Sequence, residues 1–308
     1  MSKYLTMALD PIHIGTGGYQ IGRVDNVIVR EPATNLPKIP GSSIAGTTRT
    51  YTTYQEIEKE SPSVKISCAG QDEEVSNKGA TGHCGKCIVC KSFGYSKKDD
   101  RGSRQGLVYF SDGHILLFPV STRLGPAWVT APMILNGFGI SLNDDNKTAK
   151  DAIIVGSQFT AESSLNLGWL NLPIDKSKTC PPIELDSPGQ EIKELISDRI
   201  VVVPDSLIAQ IVNSNLEVRT SVSIDPRTGA GIDGALFTSE AIPRSTILWF
   251  EMNVNNPNYF GYDDLSASKV KSAIISGFSL FETLGIGGMV TRGFGRLMIR
   301  EMITNDGQ

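Results

Sequence analysis

The clearest hydrophobic rhythm lies near the end of the chain. In "DDLSASKVKSAIISGFSLFETLG" the apolar residues Val270, Ile274, Phe278 and Phe281 recur at steps of four, four and three, which predicts an amphipathic helix. Asp263 or Asp264 caps its start in this reading, and Gly285 its end. The segment "SSIAGTTRTYTTYQEIEKE" predicts another helix, with Gly41 or Ser42 as N-cap. Glu56, Glu58 and Glu60 crowd its far end, where they oppose the helix dipole.

Extended runs fill the rest. "KYLTMAL" opens the chain as a strand and leads into the Gly-rich turn "DPIHIGTGG"; "RVDNVIV" is a further extended run and "REPATNLPKIPG" a loop. "GLVYF" and "ILLFPV" predict two strands around a tight turn centred on Asp112-Gly113. "EVRTSVSIDPRTGAGIDGALFTSEAIP" alternates, breaks from Pro226 to Gly234 and resumes, which predicts a long β-hairpin over 217–243. "STILWFEMNV" and "RLMIREMI" read as strands. Residues 61–104 form a polar insertion with little core of its own, and 141–188 show no readable pattern. The resulting order is strand, helix, strands, helix, strand. It predicts an α+β fold of the ferredoxin-like, RNA-recognition type: one domain over 1–308, with an antiparallel sheet and helices on one face.

Charge narrows the function. The chain has 308 residues and a net charge of −4, which argues against a free-standing, non-specific nucleic-acid binder and leaves room for a local basic groove. No apolar run approaches the roughly 20 residues that span a bilayer, and "MSKYLTMALD" lacks the pattern of a secretion signal. The expectation is a cytoplasmic protein with no membrane partner.

Glycine then attracts attention. "GIGGMVTRGFGR", Gly285 to Arg296, follows a helix and precedes a strand. Nucleotide-binding loops have the opposite order, because phosphate binds at a helix N-terminus. The loop therefore suits a long polyanion, with Gly287 and Gly288 admitting its backbone and Arg292 and Arg296 supplying charge. A mobile helix-capping turn is the plainer alternative. "KIPGSSIAGTTR" offers a second grip, with Gly41, Ser42, Ser43, Gly46 and Arg49 at a helix start; an ordinary cap plus a helix–sheet contact is its alternative.

Cys84, Cys87 and Cys90 form C-x2-C-x2-C, and Cys68 lies sixteen residues before Cys84. Four thiolates would close a structural tetrahedral zinc site, with His83 an alternative to Cys68. Clustered reduced thiols and an iron–sulfur cluster are the competing readings. Cys180 is left over.

Taken together, "PIHIGTGG", "GRVDNVIVREPATNLPKIPGSSIAGTTR", "CIVCKSFG", "GALFTSEAIP" and "GIGGMVTRGFGRL" resemble the RAMP superfamily, the repeated RNA-recognition-like subunits of CRISPR effector complexes. "LLFPVSTRLGPAWVTAP" is most similar to the backbone subunits of Cmr (type III-B) complexes, with those of Csm (type III-A) complexes the nearest rival. The resemblance implies copies stacked head to tail on a CRISPR guide RNA beside other subunits of the complex, with the 217–243 hairpin as a thumb and Arg219 among the RNA contacts. It also implies cleavage of guide-paired target RNA at Asp25, helped by a divalent cation such as Mg²⁺ or Mn²⁺. His13 and Glu240 are auxiliary candidates on matched motifs. A purely structural backbone subunit and a stand-alone guide-processing ribonuclease are the alternatives.

Overall fold

The computed structural model describes residues 1–17, 24–61, 63–70, 82–96, 102–143, 151–181, 183, 193 and 196–302. In chain order the strands are β1 (Ser2–Ala8), β2 (Lys38–Ile39), β3 (Val108–Phe110), β4 (Gly113–Thr122), β5 (Gly125–Thr130), β6 (Ile154–Val155), β7 (Ser164–Leu167), β8 (Leu170–Pro173), β9 (Ile200–Val202), β10 (Glu217–Ile224), β11 (Gly231–Ala241), β12 (Ile247–Val254) and β13 (Leu297–Glu301). The helices are α1 (Gly41–Glu58), α2 (Ile88–Phe93), α3 (Pro132–Phe138), α4 (Asp205–Ser214) and α5 (Ala267–Phe278). Among the described residues no helix is long and apolar enough to cross a membrane.

The main sheet runs β13-β1-β12-β4-β5-β9-β6. Its first four strands are antiparallel throughout, with Tyr4 opposite both Phe250 and Glu301. On one face the Tyr4 ring stacks on Phe250 and meets Phe278 of α5 edge-on, both at 5.3 Å. Burying one such aromatic contributes about 1.5–3 kcal/mol. The predicted stripe Val270, Ile274, Phe278 and Phe281 is wholly buried. On the other face the Lys3 ammonium lies 5.2 Å from the Phe138 ring of α3 and 5.3 Å from Trp249.

α1 and α5 pack directly on each other. A Cβ on Gly277 would sit 2.9 Å from the Thr52 amide nitrogen, so only glycine permits this approach. Tyr51 meets Phe281, Thr52 meets Gly277 and Lys59 reaches Ser276, so the two helices are antiparallel. The first turn of α1 therefore lies at the same end of the pair as the glycine loop after α5.

Several local expectations need correction. Asp112-Gly113 is not a hairpin turn: β3 and β4 both pair with β12, one after the other, and Asp112 occupies the break between them. The hairpin lies further on, where β4 turns into β5. The N-cap of α1 is Pro40, with no side-chain cap, and the helix ends at Glu58. α5 is capped by Ser266, whose hydroxyl accepts from the Lys269 amide, while Asp264 pairs with Lys91. α5 gives way to a 3-10 turn at Ser279. The described part of "RVDNVIV" makes isolated bridges rather than a strand, and Arg23 lies outside the described residues. The patternless 141–188 region contains β6 and the β7–β8 hairpin; 144–150, 182 and 184–188 fall outside the description.

Candidate functional site

Three segments from distant parts of the chain converge beside the hairpin β10–β11. Ile12 exchanges backbone hydrogen bonds with Ile242 at 2.8 and 2.9 Å, just past the end of β11. Asn26 donates to the Thr238 carbonyl at 3.0 Å and accepts from the Glu240 amide at 2.9 Å. The glycine loop closes over the same stretch, Gly288 donating to the His13 carbonyl at 2.9 Å and Gly295 to the Pro11 carbonyl at 2.8 Å.

Asp25 is exposed, on the edge of this assembly. Its Oδ2 accepts from both the amide and the hydroxyl of Thr238 on β11, each at 2.8 Å. The Asp25 amide returns a bond to the Thr238 hydroxyl at 3.0 Å. These donors, the Thr238 amide first, hold the carboxyl below the usual aspartate range. Among the described residues nothing bonds Oδ1, which is left for solvent or ligand. Thr238 is a site residue that sequence reasoning missed, since an isolated threonine in a strand sends no signal.

His13 and Glu240 are placed differently. Both are buried. Glu240 pairs with Arg30 at 2.7 Å and accepts from the Ile28 amide at 3.3 Å. His13 Nδ1 lies 2.6 Å from the Glu240 carbonyl, and an acceptor there requires the proton on Nδ1. Both residues brace the junction between the 11–30 stretch and the hairpin, and neither shares the open surface of Asp25.

The glycine loop is seated by its own backbone. Gly287 has a positive φ of 85°, and a Cβ there would fall 2.4 Å from the His13 carbonyl oxygen. Its missing side chain thus serves a contact inside the chain. Arg296 spans both oxygens of Asp10 at 2.5 and 3.1 Å, and this bond holds the Asp10 carboxyl below the usual aspartate range. Arg219 reaches the Gly293 carbonyl at 3.2 Å and lies 4.6 Å over the Phe294 ring. Exposed Arg292 has no ion-pair partner among the described residues.

At the start of α1 the anion is already internal. The Gly41 amide donates to Asp112 Oδ1 at 2.7 Å, and Lys38 holds the other oxygen at 2.7 Å. Burial pushes the Asp112 carboxyl up, but Lys38 and the Gly41 amide outweigh it and the net shift is downward. Ser42 and Gly46 are exposed, and no atom lies within 4 Å of where a Gly46 Cβ would be. Ser43 is half-buried, its amide bonded to Pro40. Arg49 turns away from that open strip, donating to the Cys68 and Gly94 carbonyls at 2.8 Å each.

Those carbonyls flank the cysteine cluster. The sulfurs of Cys68, Cys84, Cys87 and Cys90 all lie within 4.8 Å of one another, and Cys84 and Cys90 are 3.8 Å apart. A tetrahedron with Zn–S bonds near 2.3 Å has edges of about 3.8 Å, so the donors fit such an ion. The amides of Lys86, Cys87 and Cys90 donate to the Cys84 and Cys87 sulfurs at 3.3–3.4 Å, as thiolate ligands require. The hydrogen bond from Cys87 lowers the Cys90 thiol from its ordinary value. Cys68 completes the set and His83 does not belong to it. Val64, Ile88 and Tyr95 pack around it as a small core separate from the main one.

The sequence and fold have relatives. The RAMP superfamily profile matches residues 7–298. The "CRISPR system Cmr endoribonuclease Cmr4" of Pyrococcus furiosus is 28% identical to this chain, over 100% of this chain and 99% of that protein. The fold is similar to a chain of the type III-B Cmr-beta complex bound to cognate target RNA (TM-score 0.67, 15% identity, 97% and 96% of the two chains). It is also similar to an oligomeric Cmr4 from P. furiosus (TM-score 0.55, 22% identity, 98% and 99%).

Proposed function

Because this chain belongs to the RAMP superfamily, we propose that it is a guide-RNA-binding backbone subunit of a type III-B CRISPR effector complex and that it cleaves guide-paired target RNA. The similarity to the Cmr endoribonuclease extends over the whole of both proteins, which supports carrying that activity across. In this reading the β13-β1-β12-β4 arrangement with α1 and α5 is the ferredoxin-like unit of a single cytoplasmic RAMP domain. Residues 61–104 are its zinc-bearing insertion, 141–188 an irregular insertion and 217–243 its thumb. Copies stack head to tail on the guide beside the other subunits.

The observation that carries the proposal is the exposed Asp25 carboxylate, anchored at one oxygen with the other open. Ribose supplies the nucleophile. The 2′-oxygen attacks the adjacent phosphorus, the P–O2′ bond forms, the P–O5′ bond breaks, and 2′,3′-cyclic phosphate and 5′-hydroxyl ends result. The proton leaves O2′ and one is returned to O5′. Asp25 Oδ1 takes the O2′ proton or contributes one ligand to a divalent cation. That cation would draw its remaining ligands from phosphate and water, and it supplies charge neutralisation at the phosphate when bound.

The hairpin supplies the substrate surface. Leu236 and Val222 are cross-strand partners on the same face of the hairpin as Thr238 and Glu240, one step toward the tip. Both are exposed, Leu236 at 64%. An uncovered apolar pair beside Asp25 suits a wedge against an unstacked base, which splays the target backbone into line. The open strip at Ser42 and Gly46, Arg292 on the glycine loop, and Arg219 lie where a guide backbone would run.

Asp25→Ala in the reconstituted complex tests the assignment. Guide loading and particle assembly are expected to persist while target cleavage stops. Undiminished cleavage would leave a purely structural backbone subunit.

A further inference from the structure

We infer that Thr238 is the positioning residue for Asp25, and that it fixes the carboxylate to the hairpin rather than to the sheet. The inference rests on the reading of Asp25 as the cleaving residue and goes beyond it. Asp25 follows the first strand by some seventeen residues, on irregular chain with no strand of its own. Among the described residues its side chain makes no hydrogen bond to the main sheet, and every bond to Oδ2 comes from Thr238.

The geometry is a closed clamp. The Thr238 amide and hydroxyl both donate to Oδ2 at 2.8 Å, and the same hydroxyl accepts from the Asp25 amide at 3.0 Å. A hydroxyl is the smallest group that donates and accepts at once, so serine can replace threonine here while alanine and valine cannot. The next residue, Asn26, bridges Thr238 and Glu240 through its backbone, and its side-chain nitrogen lies 3.4 Å from the Ser239 hydroxyl. These backbone bonds do not involve the Thr238 side chain, so the loop stays on β11 when the hydroxyl is removed. The hydroxyl adds a second donor to Oδ2 and the acceptor for the Asp25 amide, and so restricts how far the carboxylate can turn about the single bond from the Thr238 amide.

Register follows from this arrangement. Leu236 stands two residues from Thr238 on the same face of the same strand. A target strand seated against Leu236 and Val222 is thereby placed at a set distance from Oδ1, whatever small movement the hairpin makes relative to the sheet. The clamp converts the position of the hairpin into the position of the cut.

The test uses the complete reconstituted complex with its guide. Thr238→Ala, Thr238→Ser and Asp25→Ala are compared under single turnover, with target affinity measured separately on each. Thr238→Ala is expected to slow cleavage about tenfold, the cost of one charge-assisted hydrogen bond in the reacting arrangement. Target affinity should stay within about twofold, since no contact to the bound strand is lost. Thr238→Ser is expected to restore the rate, and the Mg²⁺ concentration for half-maximal rate should rise in Thr238→Ala alone. A merely structural threonine would lower assembly or affinity together with the rate and would not discriminate serine from alanine. If Asp25→Ala is inert but Thr238→Ala cleaves at the wild-type rate, the clamp is overturned and the ribonuclease assignment stands. If Asp25→Ala still cleaves, both fall together.

Discussion

The hydroxyl of Tyr51 donates to the carbonyl of Gly285, 234 residues further along the chain. Tyr51 lies in the middle of α1 and Gly285 opens the glycine loop, so this bond ties the loop to the helix pair. The ring is buried edge-on against Phe281, and burial pushes the phenol up to about 12. Tyr51→Phe keeps the ring and leaves the Gly285 carbonyl without this donor. A loss of about 0.5–1.5 kcal/mol is expected in denaturant unfolding, with little change in fold.

The α1–α5 crossing should tolerate no side chain at Gly277. Gly277→Ala places a methyl 2.9 Å from the Thr52 amide, against backbone rather than a movable side chain. Overpacking of this kind costs about 1–3 kcal/mol. The unfolding midpoint should fall accordingly; an unchanged midpoint would show that the helices slide apart freely.

The charge on Asp112 should matter at neutral pH and fade in acid. Its carboxyl is held below the ordinary aspartate value, so its contribution is complete above that value and is lost as pH falls through the lowered one. Asp112→Asn keeps the shape and removes the charge at the start of α1. The expected cost is about 0.3–1 kcal/mol at pH 7, typical of a charge at a helix terminus. Unfolding curves of the two proteins should begin to converge as pH falls below about 4, the ordinary aspartate value, and should meet only below the lowered one.

The cysteine cluster should bind metal and support α1 through Arg49. Purified protein is expected to carry zinc by elemental analysis, and chelation or Cys90→Ser should lower the melting temperature. Arg49→Ala cuts the two bonds to the Cys68 and Gly94 carbonyls. It should mimic part of that loss without releasing the metal. Protein free of metal and equally stable would make the cluster a set of plain reduced thiols.

Asp25 should impose no acid limit on target cleavage near neutrality. The Thr238 donors hold its carboxyl below the usual range, so it is ionised throughout about pH 5–8. A pH–rate profile of the complex checks this, and a limb in that window must come from another group.

Much of the framework was legible along the chain. The stripe Val270, Ile274, Phe278 and Phe281, the terminal strands and the β10–β11 hairpin are repeats or turns set by near neighbours, and each was found. The C-x2-C-x2-C spacing likewise places three sulfurs together before any long-range contact is known. The caps were harder. Asp112-Gly113 has the residues of a tight turn, yet long-range pairing of β3 and β4 with β12 overrides that local preference. Asp112 is freed to serve a helix start 71 residues away.

The pattern of side chains along the chain determined the buried stripe of α5, the terminal strands, the β10–β11 hairpin and the grouping of three of the four thiols, because those depend on groups a few residues apart. Tertiary structure alone decided which groups act together. Asp25 meets Thr238 across 213 residues, Arg30 meets Glu240 across 210, and Gly287 loses its side chain to make room for His13. Contacts at such separations are set by how whole elements pack, and no local preference of either partner encodes them.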